Sequence, residues 1–582
     1  MADINIIINI FLNEAEKGNL HEVVLFLRVD AVKTKKKETT DRFSLHLDVL
    51  ADIQLPRKPI VTPETIKIGG DFLRELHEFG QLRRNRAGIR KKDADDAVIK
   101  WLEHETSMSV NIYHTFFPRS IGKTLEDFSD LLVKRKIQRL TLVISSSIPW
   151  ILDIPFEMMQ KEGEELPVSL CHNGFHLAHT VEKTLEEFRV TGIEPLAPPL
   201  KMLYVSALPV DLPEEERLLE LEREQELLMA ALGDLISEKK VVVEFLDIAT
   251  LEEIEKSLKQ GEHQVVHISG HGAHFDWSEQ KRGVLFLEDE WGRVKEVTGE
   301  ELARVLMKYG SIQLVVLSAC ETAHAEDYGV AGALIKGGIP VVLGMRYPVS
   351  DPVATLFTSE FYKDVCTGVS LNRAMFNARQ TIYEYEEKQR EAQKKDKEPE
   401  IIISEWMTPV LYLNQNTCSL MDYSKTPTDT RYFFQKPVSL VQGGKYVGRG
   451  FIGRHKEILS LYRLFREGNR KVCIYGQGGT GKTTLAIRFA DNFENGTYKI
   501  IQFRDQVSEE TILTRLAKEA APFLGDQILE VVNSQKYGTL DKLDFLIEHF
   551  LSRKRIILFS IILRRINWHL LIRMRRRCTS GR

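Results

Sequence analysis

The sequence predicts an α/β fold, a mostly parallel sheet flanked by helices, followed by a second and shorter α/β unit. Three observations predict it. From about Arg139 onward, short apolar runs alternate with helical stretches, the pattern of βαβ units. Two of these runs, Val265-Val266-His267-Ile268-Ser269 and Leu314-Val315-Val316-Leu317-Ser318, pass straight into the polar segments Gly270-His271-Gly272 and Ala319-Cys320-Glu321-Thr322. A third run, Val472-Cys473-Ile474-Tyr475, opens onto the glycine-rich Gly476-Gln477-Gly478-Gly479-Thr480-Gly481-Lys482-Thr483.

The elements follow in order. Strand-like runs at 21–29 and 43–50 and a charged helical stretch at 72–86 fill the first hundred residues, and none of them carries chemistry. Strands are expected at 140–144, 203–205, 241–243, in the two runs above, and at 341–343. Pro213 opens a helix with Leu218, Leu221, Leu228, Leu232 and Leu235 on one face and Glu214, Glu215 and Glu216 in its first turn, where the helix dipole favours acids. The stretch 383–400 is polar on all sides and reads as an exposed helix end and loop before a last strand, Pro409-Val410-Leu411-Tyr412-Leu413.

Composition sets limits on function. A chain of 582 residues, 43% hydrophobic and 28% charged, is an ordinary globular protein of more than one domain. Its net charge of −4 hides a basic end, because residues 551–582 hold ten basic residues and no acidic one. The body is therefore acidic, which leaves no case for a nucleic-acid partner, and the basic runs 33–37 and 83–92 read as solvated surface. Met1-Ala2-Asp3 lacks a basic leader, no run of about eighteen apolar residues would span a bilayer, and the six cysteines lack paired spacing. The expectation is a cytoplasmic protein with free thiols and no membrane partner.

Parallel sheets present reactive groups at the carboxyl ends of their strands, so the two strand ends would set an imidazole, His271, beside a thiol, Cys320. That is the layout of a Cys–His peptidase, since a thiol needs a base to become the attacking thiolate. Cys320 follows His271 by 49 positions, in keeping with the caspase spacing of about 50. The backbone N–H groups of Gly272 and Cys320 would form the oxyanion hole. His267 reads as a core residue. His267, His271, His274 and Cys320 are suitable zinc donors by type, but zinc ligands come in tight pairs and a strand His does not share a face with one four positions on. No metal is expected for the peptidase chemistry. In the glycine-rich segment, the amides around Gly476, Gly478, Gly479 and Gly481 would cradle phosphates, with Lys482 and Thr484 beside them and the Thr483 hydroxyl on magnesium.

Residues 140–415 resemble the CHAT-domain family of caspase-like cysteine peptidases, relatives of caspases and separases. The resemblance rests on Asp153-Ile154-Pro155-Phe156-Glu157, His271-Gly272, Ser318-Ala319-Cys320-Glu321-Thr322-Ala323, Ala331-Gly332-Ala333-Leu334 and Trp406. It implies a caspase-like fold, a His271–Cys320 dyad and a protein substrate. Tyr347-Pro348-Val349-Ser350-Asp351 resembles the separase segment that gives the S1 pocket an acidic floor, so Asp351 would select a basic P1 residue, arginine over lysine. The family has Trp where Tyr347 stands, and an Asp before a Pro is also a common helix start.

The segment Phe451-Ile452-Gly453-Arg454-His455-Lys456-Glu457 is similar to the opening motif of signal-transduction P-loop NTPases of the NB-ARC and NACHT kind, over residues 446–559. This resemblance implies a switch module that binds ATP with magnesium, self-associates and holds an effector domain off. The departure is that Arg555-Ile556-Ile557-Leu558-Phe559 is followed by Ser560-Ile561-Ile562 where a Walker B acid belongs, and no acid follows Glu548. Weakened nucleotide binding, no hydrolysis and a missing sensor region are expected. The resulting organisation is an N-terminal α+β region (1–120), a peptidase domain (121–415), a linker (416–446), a partial P-loop domain (447–559) and a basic tail, unstructured or out of frame (560–582). The expected function is a cysteine endopeptidase cutting after a basic residue. The other reading is a nucleotide-dependent scaffold with a degenerate or latent peptidase fold, and the presence of both dyad residues speaks against it.

Overall fold

The computed structural model describes residues 22–33, 38–50, 64–68, 70–84, 94–118, 122, 139–170, 175–183, 187–188, 195–212, 221–246, 248–275, 282–319, 322–323, 329–396, 404–415 and 419–428, and then 454–467, 472, 474, 477, 480–491, 498–503, 508–525, 527–551 and 555–560. The chain divides into two compact units, residues 1–433 and 434–582.

The first unit is built on one mixed sheet. Its strands are β1 (Glu22–Lys33), β2 (Glu38–Leu50), β3 (Glu64–Lys67), β4 (Arg139–Ser146), β5 (Phe175–Val181), β6 (Leu200–Ser206), β7 (Val241–Leu246), β8 (Val265–Ser269), β12 (Leu314–Ser318), β13 (Val341–Met345) and β14 (Pro409–Leu413). A separate antiparallel sheet holds β9 (His271–Phe275), β10 (Arg282–Glu288) and β11 (Val294–Thr298), in the order β11-β10-β9. The large sheet runs β3-β2-β1-β4-β5-β14-β13-β12-β8-β6-β7. From β7 to β13 every neighbouring pair is parallel, and β14 reverses against β13. Strands β5, β4 and β1 then run parallel to β14 and to each other, before β2 turns back against β1 and β3 reverses again against β2. The central strands β6, β8, β13 and β14 are buried along their whole length, as parallel strands covered on both faces must be.

The N-terminal region, expected as an α+β region of its own, completes the sheet. β1 pairs with β4 from Glu22↔Arg139 to Val29↔Ser146, so the N-terminal strands extend the same sheet. At the other end, Leu420 and Met421 are buried, and Leu196 bridges to Met421. The packed unit therefore runs past the boundary expected at 415.

Helices cover the sheet: α1 (Gly70–Arg84), α2 (Ala94–Phe116), α3 (Leu221–Ser237), α4 (Leu251–Gly261), α5 (Gly299–Met307), α6 (Gly329–Lys336), α7 (Asp351–Val365) and α8 (Leu371–Asp396). In α3, Leu228 and Leu232 are buried and Leu235 packs on the core, while the residues expected to open that helix, 213–220, lie outside the described residues. The motif Ala331-Gly332-Ala333-Leu334 is α6 packing against α5. A Cβ at Gly299 would lie 2.5 Å from the Ala333 methyl, so only small residues let these helices meet.

One expectation is corrected. The stretch 383–396 is not polar on all sides in space: it continues α8, and Glu386 on it is only 2% exposed. Glu386 Oε1 accepts the Glu405 backbone N–H at 2.6 Å, and Arg390 lies 3.8 Å from its other oxygen. Burial pushes the Glu386 carboxyl up to about 8, further raised by Glu105 and opposed by Arg390, Arg83 and a backbone hydrogen bond. The folded state thus holds a proton that the unfolded chain releases in the ordinary carboxylate range, so this group costs stability as pH rises from about 4.5 to about 8. Glu386→Gln should flatten that decline, read as urea midpoints at pH 5 and pH 8. An unchanged pH dependence would show that Glu386 ionises freely in the folded protein.

Among the described residues of the second unit, two parallel strands, β15 (Tyr498–Phe503) and β16 (Arg555–Ser560), pair from Tyr498↔Arg555 to Phe503↔Ser560. Its helices include α9 (His455–Arg466), α10 (Lys482–Asp491) and α11 (Glu509–Leu524), and Leu513, Leu516, Ala517, Ile528, Val532, Leu543 and Leu546 form a buried cluster. β16 is the strand expected where a Walker B strand belongs; residues 561–582 lie outside the described residues. Among the described residues no helix is long and apolar enough to cross a membrane.

Candidate active site

Three neighbouring strands, β8, β12 and β13, run parallel and lead at their carboxyl ends into the segments that carry His271, Cys320 and Asp351. Ser269 and Ser318 are register partners, and the Gly270 N–H donates to the Ser318 carbonyl at 3.3 Å. His271 and Cys320 each follow two positions after these serines. Cys320 and Glu321 themselves lie outside the described residues, as do the side chain of His274 and residues 324–328.

His271 is half-buried and is the first residue of β9, not part of a loop. It pairs with Phe286 and Gly272 pairs with Leu285, so the small antiparallel sheet fixes the backbone that presents the imidazole. Between β8 and β9 the chain passes against Ala207. A Cβ at Gly270 would lie 2.8 Å from the Ala207 carbonyl oxygen, which is why glycine stands there.

The Cys320 segment is pinned on its far side by Thr322. Its hydroxyl donates to the Ala319 carbonyl at 3.0 Å and accepts the Met345 N–H, also at 3.0 Å. The Ala323 N–H donates to the Met345 carbonyl at 3.0 Å, and the Ala331 N–H donates to the Thr322 carbonyl at 2.9 Å. Ala319, Thr322 and Ala323 of the Ser-Ala-Cys-Glu-Thr-Ala motif are thus laced to one another, to the end of β13 and to α6.

Asp351, half-buried, is the first residue of α7, with Pro352 behind it and Ser350 as its cap. The Ser350 N–H and hydroxyl both donate to Glu405 Oε2, at 3.0 and 2.6 Å. Tyr347 is buried, and Arg83 of α1 lies over its ring at 5.2 Å from the centroid, with Phe79 edge-on at 6.2 Å. The N-terminal region, expected to carry no chemistry, therefore supplies the packing behind the Tyr347–Asp351 segment. No local pattern around Phe79, Arg83 or Glu405 signals this, because Tyr347 lies more than 250 residues from Phe79 and Arg83, and Ser350 lies 55 from Glu405.

Beside these strand ends sits a fully buried ionic cluster. Glu157, from the Asp153-Ile154-Pro155-Phe156-Glu157 motif, accepts from Arg346 Nη1 at 2.6 Å, His179 Nε2 at 3.0 Å and Arg379 Nη2 at 3.2 Å. Burial pushes the Glu157 carboxyl up, but Arg346, His179 and Arg379 together hold it well below the usual carboxylate range. Burial holds the His179 imidazole below its ordinary value, against the pull of Glu157.

In the second unit, Gly481 has a φ of +74°, with nothing within 4 Å of where a Cβ would sit, so the loop stays open at its end. Lys482 begins α10, and its Nζ donates across the loop to the Gln477 carbonyl at 2.5 Å. Arg454, in the opening motif, donates to the Thr480 carbonyl. Thr483 and Thr484 occupy the first turn of α10; the Thr483 side chain and residues Gly476, Gly478 and Gly479 lie outside the described residues. An open glycine turn feeding a helix N-terminus with a lysine beside it fits a phosphate group.

The CHAT domain family model matches residues 110–427, and the model of the AAA domain (dynein-related subfamily) matches residues 471–536, within the second unit. No curated protein matches the chain. Two crystal structures of the Saccharomyces cerevisiae separase–securin complex resemble it at 14% and 12% identity, with TM-scores of 0.39 and 0.40; each covers 68% of this chain and 30% of the other. The complex of the Porphyromonas gingivalis RgpB pro- and mature domains resembles it at 10% identity and TM-score 0.26, covering 60% of this chain and 77% of that one. This chain thus spans less than a third of the separase chain. The CHAT match takes in more than half of the sequence, from the end of α2 through β14, with every segment that carries His271, Cys320 and Asp351, and so the chain belongs to the CHAT-domain family of caspase-like peptidases.

Proposed function

We propose that the first unit is a cysteine endopeptidase that cleaves after a basic residue and that the P-loop unit regulates it. The observation that carries this reading is the parallel run β8-β12-β13, whose adjacent carboxyl ends lead into His271, Cys320 and Asp351. Cys320 Sγ attacks the scissile carbonyl after passing its proton to His271. The Gly272 and Cys320 amides hold the oxyanion, and His271 returns the proton to the leaving amine. Water then releases the acyl group by the same base. Asp351, at the N-terminus of α7, receives the guanidinium of a P1 arginine as a bidentate pair.

In the P-loop unit, the amides of residues 476–481, Lys482 and Thr484 would hold nucleotide phosphates and the Thr483 hydroxyl a magnesium ion. Bound ATP would supply a charge that orders this loop. With Ser560 at the end of β16, weak binding without turnover is the expected behaviour. The protein is read as cytoplasmic, with a protein substrate and with self-association through the P-loop unit.

The test is mass spectrometry of adducts after incubation with an arginyl chloromethyl ketone, comparing the unaltered protein, Cys320→Ala and Asp351→Ala. Labelling confined to the Cys320 peptide and lost in both variants supports nucleophile and pocket together. Labelling that survives Asp351→Ala removes the basic-P1 assignment, and labelling elsewhere removes the nucleophile.

A further inference from the structure

The segment from Arg346 to Ser350, which leads out of β13 to Asp351, is held at both ends by one short turn, residues 404–408. At its start the Arg346 N–H donates to the Thr408 carbonyl at 2.9 Å. At its end the Ser350 N–H and hydroxyl both donate to Glu405 Oε2, at 3.0 and 2.6 Å. The turn closes on itself through the Thr408 N–H, which donates to the Glu405 carbonyl at 2.8 Å. Ser404, Glu405 and Thr408 are all buried.

The turn is itself anchored from two helices. Arg83 of α1 donates from Nη2 to the Ser404 carbonyl, and the same guanidinium lies over the Tyr347 ring. From α8, Arg390 Nη2 donates to Ser404 Oγ at 2.7 Å, and Glu386 Oε1 accepts the Glu405 N–H at 2.6 Å. Tyr347 is thus packed against Arg83 and Phe79 while both ends of its segment are hydrogen-bonded.

Ser350 turns its hydroxyl away from its own helix. It is the N-cap residue of α7, with φ −74° and ψ 147°, and such a serine ordinarily sets its oxygen on an amide of the first helical turn. Here it makes no such bond, and the hydroxyl meets Glu405 instead. A buried carboxylate is a costly acceptor unless its neighbours compensate it; this one stands at the amino end of a helix and takes two hydrogen bonds on one oxygen. The result is a fixed direction for the chain at Ser350, one residue before Asp351. Asp351 is half-buried and so open in part to a ligand, whereas Glu405 is only 2% exposed.

We propose that Glu405 is a positioning residue of the P1 pocket: by holding Ser350 it sets where the Asp351 carboxylate stands, and so how strongly an arginine is preferred at P1. The proposal rests on the reading of Asp351 given above. Glu405 does not touch the substrate. A bidentate pair of guanidinium and carboxylate needs two parallel contacts, so a carboxylate displaced by about 1 Å keeps its charge but loses one of them.

The experiment measures, on the full chain, the rates at which an arginyl and a norleucyl chloromethyl ketone label the Cys320 peptide, read by mass spectrometry, and takes their ratio. A general loosening of the fold slows both probes alike and leaves the ratio where it was. The unaltered protein, Asp351→Asn, Ser350→Ala, Glu405→Gln and Glu405→Met are compared. The unaltered protein should favour the arginyl probe by about a hundredfold, and Asp351→Asn should bring the two rates together. Glu405→Met, which removes the acceptor at similar volume, should cut the ratio by about tenfold through the arginyl rate alone. Ser350→Ala, which removes one of the two bonds, should cut it by about threefold. Glu405→Gln keeps an oxygen able to accept both bonds and should hold the ratio to within about twofold. A ratio kept in both Glu405→Met and Ser350→Ala, or two rates that fall together, overturns the positioning role and leaves Asp351 as the reader of P1. A Glu405→Gln protein as impaired as Glu405→Met overturns it as well, since the charge and not the bond to Ser350 would then set the preference. If Glu405→Met does not fold, Ser350→Ala and Glu405→Gln decide. An unaltered ratio near one, or a ratio indifferent to Asp351→Asn, removes the P1 assignment itself, and the role of Glu405 with it. Labelling of Cys320 by neither probe removes the peptidase reading and the proposal together.

Discussion

Glu157→Gln should be the most destabilising single substitution in the first unit, by about 3–5 kcal/mol, read as the shift in the urea midpoint of that unit. The carboxylate is fully buried and is the one anion shared by Arg346, which directly follows β13, and Arg379, on α8. Glutamine keeps the shape but takes from two guanidinium groups the carboxylate that both meet, and a stranded buried charge costs far more than a lost surface pair. Adding Arg379→Met should recover part of the loss, because it removes one of the stranded charges; two additive losses would contradict the shared-anion picture. The pH sense follows from the depressed carboxyl. Its contribution is fully present above the ordinary carboxylate range and is lost as pH falls through its folded value, well below that range. Acid unfolding of the unaltered protein should therefore steepen at low pH, and Glu157→Gln should lack that limb. Because Arg346 directly precedes Tyr347 and its N–H donates to the Thr408 carbonyl at 2.9 Å, the loss should also loosen the segment leading to Asp351.

What could be read from sequence follows from how far each signal reaches along the chain. The buried strands β6, β8, β12, β13 and β14 announce themselves as apolar runs, since both faces are covered, and α/β alternation follows from them. The glycine after His271 and the motif around Cys320 are local and were legible. Strand β5 was not, because Phe175–Val181 carries His176 and His179, polar residues in a buried strand. His179 is tolerated there because Glu157 meets it, a partner 22 residues away that no periodicity reveals. The Glu157 motif was visible as a string of letters, but its reason appears only where Arg346 and Arg379 converge on it. Likewise Glu386 sits among charges in sequence, yet α8 turns it inward beneath Glu405.

His271→Ala should abolish peptide cleavage while leaving Cys320 chemically reactive, and the contrast separates the two tasks of the imidazole. In the proposed mechanism His271 acts as a base and raises the thiolate fraction. An unassisted thiol, with a pKa of about 8.5, is only about 1% ionised at pH 6.5. Losing the base should therefore slow alkylation at that pH by roughly tenfold to a hundredfold, the smaller value allowing for the greater nucleophilicity of the less acidic thiolate. That loss should vanish as pH approaches about 9, where the free thiol ionises by itself. In the same mechanism His271 also acts as an acid and protonates the departing amine, and high pH offers no substitute for that step. Cleavage of an arginyl peptide should thus fall by about 10⁴-fold or more at every pH, with no recovery at pH 9. The backbone that carries the imidazole is set by the pairing of β9 with β10, so the alanine variant should keep the unfolding temperature of the unaltered protein. If cleavage recovered at pH 9 along with alkylation, the leaving amine would be finding its proton elsewhere and His271 would be reduced to an activator of the thiol. If cleavage fell while alkylation did not change even at pH 6.5, the imidazole would lie out of reach of the thiol in the resting protein, and the two strand ends would have to move together before catalysis.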